Sequence, residues 1–283
     1  MKKAIFTIAI GNDNPMYKAA LESFKHYAQK VEADLIVTDS PRFDIKIENP
    51  KYLAHPAWSE KCRIGELLEE YDRVLYLDAD MLITPDARNV FDVYSDLETV
   101  YMLDEGKETC RKAVLDDVFQ ALGTLEDWPK HGELLTYYNV GMILISRQCP
   151  LFQYACFNEL QDVSHKIKYY EQTYFNYLIQ KHNIKNECIA PEFNRMDLFG
   201  QEGYLESDFI HYANKGYSPS GRRRELQYVA DFCKFYQSHL PAGRLSELKQ
   251  EAWAFFLDKV YKRYKLPNPL LKLICNSFVS KPV

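Results

Sequence analysis

Residues 73–83 read Arg-Val-Leu-Tyr-Leu-Asp-Ala-Asp-Met-Leu-Ile, an apolar, β-prone run carrying two carboxylates two positions apart. In an extended strand, side chains at i and i+2 point to the same side, so Asp78 and Asp80 would converge at or near the strand's end. Like charges held there repel, and a divalent cation removes the repulsion. Hard oxygen ligands of this kind suit Mg²⁺ or Mn²⁺, whose natural partners are phosphate oxygens. The run predicts a buried strand with a metal-diphosphate site. An Asp-x-Asp triplet by itself also marks solvated turns and helix caps. Here the apolar flanks and the amphipathic segment before it argue instead for a βαβ crossover.

The residues before this run give the same class of architecture. Residues 4–10, Ala-Ile-Phe-Thr-Ile-Ala-Ile, predict a first strand that ends in Gly11-Asn12-Asp13-Asn14-Pro15. With Met-Lys-Lys in front, the run imitates a secretory signal, but it is short and no small-x-small cleavage site follows. Residues 16–30 have helical spacing, with Leu21, Phe24 and Tyr27 on one face, and residues 34–38 predict a second strand. Strands joined by such a crossover are parallel, and ligands of such sheets sit at the strands' carboxyl ends. The turn at residues 11–15 is therefore a candidate nucleotide contact, although it has neither the P-loop nor the dinucleotide glycine pattern.

Further along, residues 58–70 predict a helix with Cys62, Ile64, Leu67 and Leu68 as its buried stripe, and this helix carries Lys61. Residues 99–103 predict a strand ending in Asp104 and Glu105, and residues 137–146 a strand with Asn139 and Gly141 at its amino end. An Asn beside a Gly is equally turn chemistry. Residues 171–180 predict a helix whose first turn holds Glu171 and Gln172, where the helix dipole alone would favour an acid. Residues 209–216 combine a short apolar run with His211 and then Lys215-Gly216, a basic turn of phosphate size. From residue 222 the chain reads as mainly helical, with Arg222-Arg223-Arg224 as a solvated face.

Composition closes off other classes. The 283 residues are 47% hydrophobic and 14% aromatic, which describes an ordered globular protein rather than a disordered chain. A net charge of −5 argues against a general nucleic-acid binder. Seven cysteines, at 62, 110, 149, 156, 188, 233 and 275, include no Cys-x-x-Cys pair and read as reduced thiols of a cytoplasmic protein. No segment reaches the ~20 apolar residues of a membrane-spanning helix, so a soluble protein is expected. The end of the chain changes character: Lys259, Lys262, Arg263, Lys265, Lys272 and Lys281 occur with no acid after Asp258, interleaved with Tyr261, Tyr264, Leu270, Leu271, Ile274 and Phe278. Such a tail can hold a protein peripherally against anionic lipid, or can be a terminal helix packing on its own domain.

Four segments fall in the order seen in glycosyltransferase family 8, which this chain resembles over residues 1–216: Leu75-Tyr76-Leu77-Asp78-Ala79-Asp80, Tyr138-Asn139-Val140-Gly141-Met142, Glu171-Gln172, and His211-Tyr212-Ala213-Asn214-Lys215-Gly216. The resemblance implies an α/β GT-A (Rossmann-like) nucleotide-diphospho-sugar transferase fold, with a mixed, mainly parallel central sheet. On that basis residues 1–220 are the catalytic domain, and residues 221–283 a helical C-terminal extension whose basic aromatic tail starts at about residue 259. It also implies Mn²⁺ (with Mg²⁺ as the other candidate), a UDP-sugar donor, a glycan or glycolipid acceptor, and transfer with retention of anomeric configuration.

By the same resemblance Asp78, Asp80 and His211 are the metal ligands, with Asp78 and Ala79 also near the donor. An imidazole beside two carboxylates fits Mn²⁺ by ligand softness. Lys215 and Gly216 correspond to the turn that grips the diphosphate. Thr7, Ala9, Asn12 and Tyr17 correspond to nucleoside contacts, and Lys61 to a basic residue that reaches the donor. Asp104, Asn139, Glu171 and Gln172 correspond to positions around the donor sugar. The chain departs from the family where Glu171-Gln172-Thr173 replaces a frequent Asp-Gln-Asp, and where the frequent Lys-Pro-Trp after the histidine is missing. The tail agrees with the peripheral attachment of the lipopolysaccharide-acting members.

In such a transfer the nucleoside diphosphate leaves as the anomeric carbon becomes oxocarbenium-like. Metal and Lys215 stabilise the growing negative charge without a proton donor. Gln172 is a poor nucleophile and Glu171 suits a hydrogen-bond acceptor for sugar hydroxyls, so attack on the same face beside the departing phosphate is favoured over a covalent intermediate. One rival is a haloacid-dehalogenase-type phosphatase with Asp78 as nucleophile. That motif follows a first strand, whereas here a full βαβ unit precedes it. A sugar nucleotidyltransferase is a second rival, without the Gly-rich triphosphate loop. A binding protein that keeps the site without turnover is a third.

Overall fold

The structure, a computed structural model, describes residues 1–11, 13–43, 56–265 and 267–278. In chain order its elements are β1 (Lys3–Ile8), α1 (Pro15–Val31), β2 (Asp34–Thr38), α2 (Arg63–Glu70), β3 (Arg73–Asp78), β4 (Met81–Ile83), α3 (Val90–Val93), β5 (Val100–Asp104), α4 (Lys112–Leu122), the strand pair β6 (Lys130–His131) and β7 (Leu134–Leu135), and β8 (Tyr138–Ser146). There follow α5 (Leu151–Tyr154), α6 (Phe157–Ser164), α7 (Tyr170–Lys181), β9 (Asn186–Cys188), β10 (Phe209–His211), α8 (Arg224–Phe235), α9 (Ala242–Tyr264) and α10 (Asn268–Phe278). The chain divides into two compact units. Unit 1 comprises Met1–Ile10, Ala28–Asp78 and Asn89–Asn194; unit 2 comprises Gly11–Tyr27, Ala79–Arg88 and Arg195–Val283.

Unit 1 is built on a six-stranded sheet of order β2-β1-β3-β8-β5-β9. The β1–β2, β1–β3 and β5–β9 pairs are parallel, whereas β8 runs antiparallel to both β3 and β5. The parallel β1–β2 pair is the one expected from the crossover, and the mixed, mainly parallel sheet is the one the resemblance implied. All nine residues of β8 are buried, which is why that stretch reads as one continuous apolar run without alternation. The core around it includes Phe6, Ile64, Tyr76, Met102, Leu115, Ile143, Leu160 and Phe175. Register fixes one functional edge: Ile8 lies opposite Asp78, and Leu103 opposite Asn139. The carboxyl ends of β1, β3 and β5 and the amino end of β8 thus share the edge where such sheets bind ligands.

Unit 2 contains the antiparallel ribbon β4–β10, in which Met81 faces His211 and Ile83 faces Phe209. Two tyrosines of α8 satisfy carbonyls of β4: the Tyr228 hydroxyl donates to Met81 O at 2.6 Å and the Tyr236 hydroxyl to Ile83 O at 2.9 Å. Buried strand carbonyls need such donors. Ion pairs Lys18–Glu251 (3.0 Å) and Arg244–Glu22 (3.3 Å) tie α9 to α1. From Gly221 on, the described elements are all helical. No helix of the described residues is long and apolar enough to cross a membrane.

Three sequence expectations change in detail. The run at residues 73–83 is not one strand, because β3 ends at Asp78, Ala79 and Asp80 form a turn, and β4 pairs in a different sheet. The predicted helix at residues 58–70 is a 3₁₀ helix, Pro56–Cys62, followed by α2, so Lys61 sits in its tighter last turn. Arg224 is not a solvated arginine, since its side chain is only 20% exposed.

Candidate functional site

Asp78, Asp80 and His211 each offer a ligand atom, and the three atoms lie within 4.8 Å of one another. The route to this group differs from strand alternation. Asp78 is the last residue of β3, Asp80 follows through a two-residue turn, and His211 ends β10 opposite Met81, the residue after Asp80. The Tyr212 backbone N–H, which donates to Asp80 O at 2.9 Å, locks that turn beside the histidine.

Asp80 Oδ1 comes within 3.2 Å of His211 Nε2, yet it is buried and has no hydrogen-bond partner. A buried carboxylate oxygen left without a hydrogen-bond donor, with a second carboxylate and an imidazole nitrogen beside it, is a donor set that fits a divalent cation of the Mn²⁺ type. Burial works against the Asp80 charge, but His211 and then Arg224 outweigh it and hold the carboxyl at about 2. The site acid therefore stays ionised at neutral pH.

Within unit 1, Lys61 anchors a buried cluster. Its ammonium lies 2.8 Å from Glu171 Oε1, 3.4 Å from Asp78 Oδ1 and 5.1 Å from the Tyr76 ring. Burial disfavours the Lys61 charge, yet Asp78 and Glu171 hold its pKa above the ordinary lysine value. Burial also pushes the Glu171 carboxyl up, although Lys61 pulls against it. Glu171 is thus not the solvated acid that a helix dipole alone would favour, and its Oε2 is a buried atom without a hydrogen bond. Tyr76 donates its hydroxyl to Asp78 Oδ1.

A second network in unit 1 centres on Glu105, which the sequence reading placed at a strand end without giving it a role. Its Oε1 receives Arg111 Nη2 at 2.8 Å and Gln172 Nε2 at 3.2 Å, and its Oε2 receives Asn139 Nδ2 at 3.2 Å. Gln172 Oε1 accepts from Val140 N at 3.2 Å, and Asn139 Oδ1 accepts from Asn194 Nδ2 at 3.1 Å. The structure thus brings together Asn139, Gln172 and Glu105. Tyr169 and Tyr170, at φ 60° and 36°, enter α7 in the left-handed region, which bulky residues adopt only when their surroundings force them.

Asp104 does not join this network. Its Oδ1 accepts from Gly106 N (3.0 Å) and Tyr137 N (2.9 Å), while its Oδ2 faces His131 Nε2 at 2.7 Å. These bonds hold the turn that aims Glu105. Gly106 is required there because a Cβ would come within 2.2 Å of Leu135 O.

The remaining predicted residues are placed as follows. Thr7 is fully buried with Oγ1 unpartnered, Ala9 and Ala79 are buried, and Tyr17 lies near Gly11 on unit 2. Asn12 lies outside the described residues. Lys215 is exposed, and Gly216 has φ +59°, where a Cβ would meet Tyr212 at 3.1 Å and Arg224 Cγ at 3.4 Å.

Arg224 is the functional-site residue that the sequence reading assigned elsewhere. Its Nη1 lies 3.3 Å from Asp80 Oδ2. The one available signal was its position just after the His211–Gly216 segment, at the start of a helix.

No protein-family model matches the chain, and no curated protein matches it. Solved structures do. The chain is similar to a glycosyltransferase involved in the glycosylation of the major capsid of PBCV-1, with 12% identity, 81% of this chain and 99% of that one covered, and a TM-score of 0.53. It is also similar to the galactosyltransferase LgtC in complex with donor and acceptor sugar analogs, at 16% identity, 85% and 98% coverage, and a TM-score of 0.52. The chain therefore has the GT-A, Rossmann-like fold of these glycosyltransferases.

Proposed function

We propose that the protein is a metal-dependent glycosyltransferase that moves a hexose from UDP-glucose or UDP-galactose to a hydroxyl of a glycan or glycolipid, with retention of anomeric configuration. The observation that carries this reading is the convergence of Asp78, Asp80 and His211 within 4.8 Å, with one Asp80 oxygen left without a hydrogen bond, in a GT-A fold. A solved neighbour of the same fold holds donor and acceptor sugar analogs, which supports a nucleotide-sugar donor and a sugar acceptor here.

Asp78, Asp80 and His211 would hold the cation, Mn²⁺ before Mg²⁺, and when bound it supplies Lewis-acid stabilisation of the leaving diphosphate. The exposed Lys215 adds a positive charge next to Gly216, whose positive φ and packing against Tyr212 and Arg224 hold the turn that carries it. Thr7, Ala9, Asn12, Tyr17 and Ala79 are assigned to the nucleoside side. Lys61 is assigned to the donor, and Glu171, Asn139 and Gln172 to the donor sugar, with Asp104 acting through the turn it holds.

Both polar ends of Gln172 are already engaged, by Val140 N and Glu105, and Glu171 is paired with Lys61. Neither is a free nucleophile. This favours attack by the acceptor hydroxyl on the face the diphosphate leaves, with the departing phosphate taking its proton. The C-terminal tail is assigned to peripheral membrane contact at the cytoplasmic face. Tyr261, Tyr264, Leu270 and Leu273 are exposed there, whereas Lys259 and Lys262 are already paired with Glu225 and Asp258.

The test is UDP release by the purified protein from a panel of UDP-sugars, with Mn²⁺ or with chelator. Mn²⁺-dependent release from one sugar is expected. Release of phosphate from generic phosphomonoesters, with no UDP from any sugar, would overturn the reading in favour of a phosphatase.

A further inference from the structure

Arg224 stands at the start of α8 with more positive charge around it than its own neighbours need. Its Nη2 is 3.7 Å from Glu225 Oε1, but Lys259 holds that same oxygen at 2.7 Å. Glu225 is thus already matched. The other carboxylate that Arg224 touches is Asp80, whose Oδ2 lies 3.3 Å from Nη1, and Nη1 also lies 3.4 Å from the Tyr212 carbonyl oxygen. Asp80 is the acid that a divalent cation would claim. Once it is claimed, the guanidinium loses its counter-charge while it remains 20% exposed and able to meet an incoming ligand.

The surroundings indicate what that ligand is. The Arg224 stem passes beside Gly216, since a Cβ built on that glycine would lie 3.4 Å from Arg224 Cγ. The turn folds back so that a Cβ on Gly221 would lie 4.0 Å from Lys215 Cα. Among the described residues no acid is paired with Lys215. A planar guanidinium at the start of α8 and the exposed Lys215, whose Cα lies beside the Gly221 that leads into that helix, together with a cation-binding acid match a diphosphate, which accepts paired N–H donors on adjacent oxygens.

We propose that Arg224 is a diphosphate-binding residue that also stands in for the divalent cation at Asp80, pairing with that carboxylate while the metal is absent and transferring to phosphate oxygens when metal and nucleotide enter. The proposal rests on the reading of Asp78, Asp80 and His211 as a cation site for a nucleotide sugar.

The experiment is calorimetric titration of wild type, Arg224→Gln and Arg224→Lys with Mn²⁺ alone, and then with UDP at saturating Mn²⁺. A competing cation at Asp80 weakens metal binding, so Arg224→Gln should bind Mn²⁺ alone roughly threefold to tenfold tighter. Loss of a charge-assisted phosphate contact should make UDP binding about 10- to 100-fold weaker in the same variant. Arg224→Lys keeps the charge without the fork and should recover part of the UDP affinity. A merely structural ion pair would not give opposite signs for the two ligands. Both affinities falling together, or neither changing, in a variant with wild-type circular dichroism would overturn the proposal. Should Arg224→Gln fail to fold, unchanged UDP affinity in Arg224→Lys would overturn it equally. If the wild type binds neither Mn²⁺ nor UDP, the underlying reading falls and this proposal with it.

Discussion

Asp78 and Asp80 stand two residues apart, and each has a strong base beside it, Lys61 at Asp78 and Arg224, together with His211, at Asp80, but the two matches are built differently. In unit 1, Lys61 is 4% exposed, lies under Asp78 and shares its charge with the equally buried Glu171. In unit 2, Arg224 is 20% exposed, approaches Asp80 from a helix start and touches a Glu225 that Lys259 already neutralises. A buried lysine cannot leave without stranding the equally buried Glu171 carboxylate in a low-dielectric interior and taking the cation from Asp78, itself 32% exposed. A partly solvated arginine with a spare partner can leave at little cost. The difference separates a charge that holds the fold from one that a ligand can exchange.

The comparison breaks first on stability. Lys61→Met should destabilise the protein by about 3–5 kcal/mol in urea unfolding at neutral pH with chelator, because Asp78 and Glu171 lose their cation. Arg224→Gln should cost about 1 kcal/mol or less. Adding Glu171→Gln to the Lys61 variant should recover most of the loss. Equal losses for Lys61→Met and Arg224→Gln would erase the distinction.

Activity comes next. Asp80→Asn leaves the backbone bond from Tyr212 N in place and keeps the side-chain volume, but removes a charged ligand from the three-residue group. Mn²⁺-dependent UDP release should fall at least about a hundredfold, equivalent to about 2.7 kcal/mol, with the circular dichroism of the wild type. An Asp80→Asn protein that still turns over with Mn²⁺ would remove Asp80 from the metal assignment.

How much of this was written in the sequence depends on whether the signal was local. The strands were legible because buried strands show as apolar runs: residues 34–38 match β2, and residues 137–146 differ from β8 by one residue at the amino end. Asp78 and Asp80 were legible as metal candidates because they are neighbours in the chain, whereas His211, 131 positions after Asp80, entered as a ligand only through the family resemblance. Their geometry was not, since a turn at Ala79-Asp80 leaves the same composition as a continuing strand. Glu105 and Asp104 sit side by side at one strand end, and only the hydrogen-bond directions show that Glu105 meets Gln172 and Asn139 whereas Asp104 holds a turn. Arg224 was misread because an arginine run carries no mark of which side chain a distant aspartate will meet, 144 positions away.

Acid titration sharpens the unit 2 side. Against the opposing effect of burial, His211 and then Arg224 hold the Asp80 carboxyl at about 2, below the usual aspartate value. A depressed acid contributes stability that is fully present above the unfolded pKa and is lost as pH falls through the folded one. Metal-free protein should therefore lose about 2 kcal/mol between roughly pH 4 and pH 2 from this group alone. Asp80→Asn should flatten that part of the profile; an unchanged slope would show that Asp80 carries no such linkage.

The smallest effect tests whether unit 1 divides its neighbouring acids in the same way, into one that supports and one that acts. Glu105 holds Gln172, Asn139 and Arg111, whereas Asp104 binds two backbone N–H groups and His131. Glu105→Gln keeps the volume but frees Gln172 and Asn139 to rotate, so kcat for UDP release should fall about tenfold with KM little changed, as for other orienting partners of site residues. Asp104→Asn should do the reverse. Its amide oxygen can still accept from Gly106 and Tyr137, but its NH₂ cannot accept from His131 as the buried carboxylate oxygen Oδ2 does, so stability should fall by about 1–3 kcal/mol while kcat at a temperature well below unfolding changes little. If both variants lose kcat alike, the two acids act as one unit in catalysis, and the turn that Asp104 holds is part of the sugar site rather than its support.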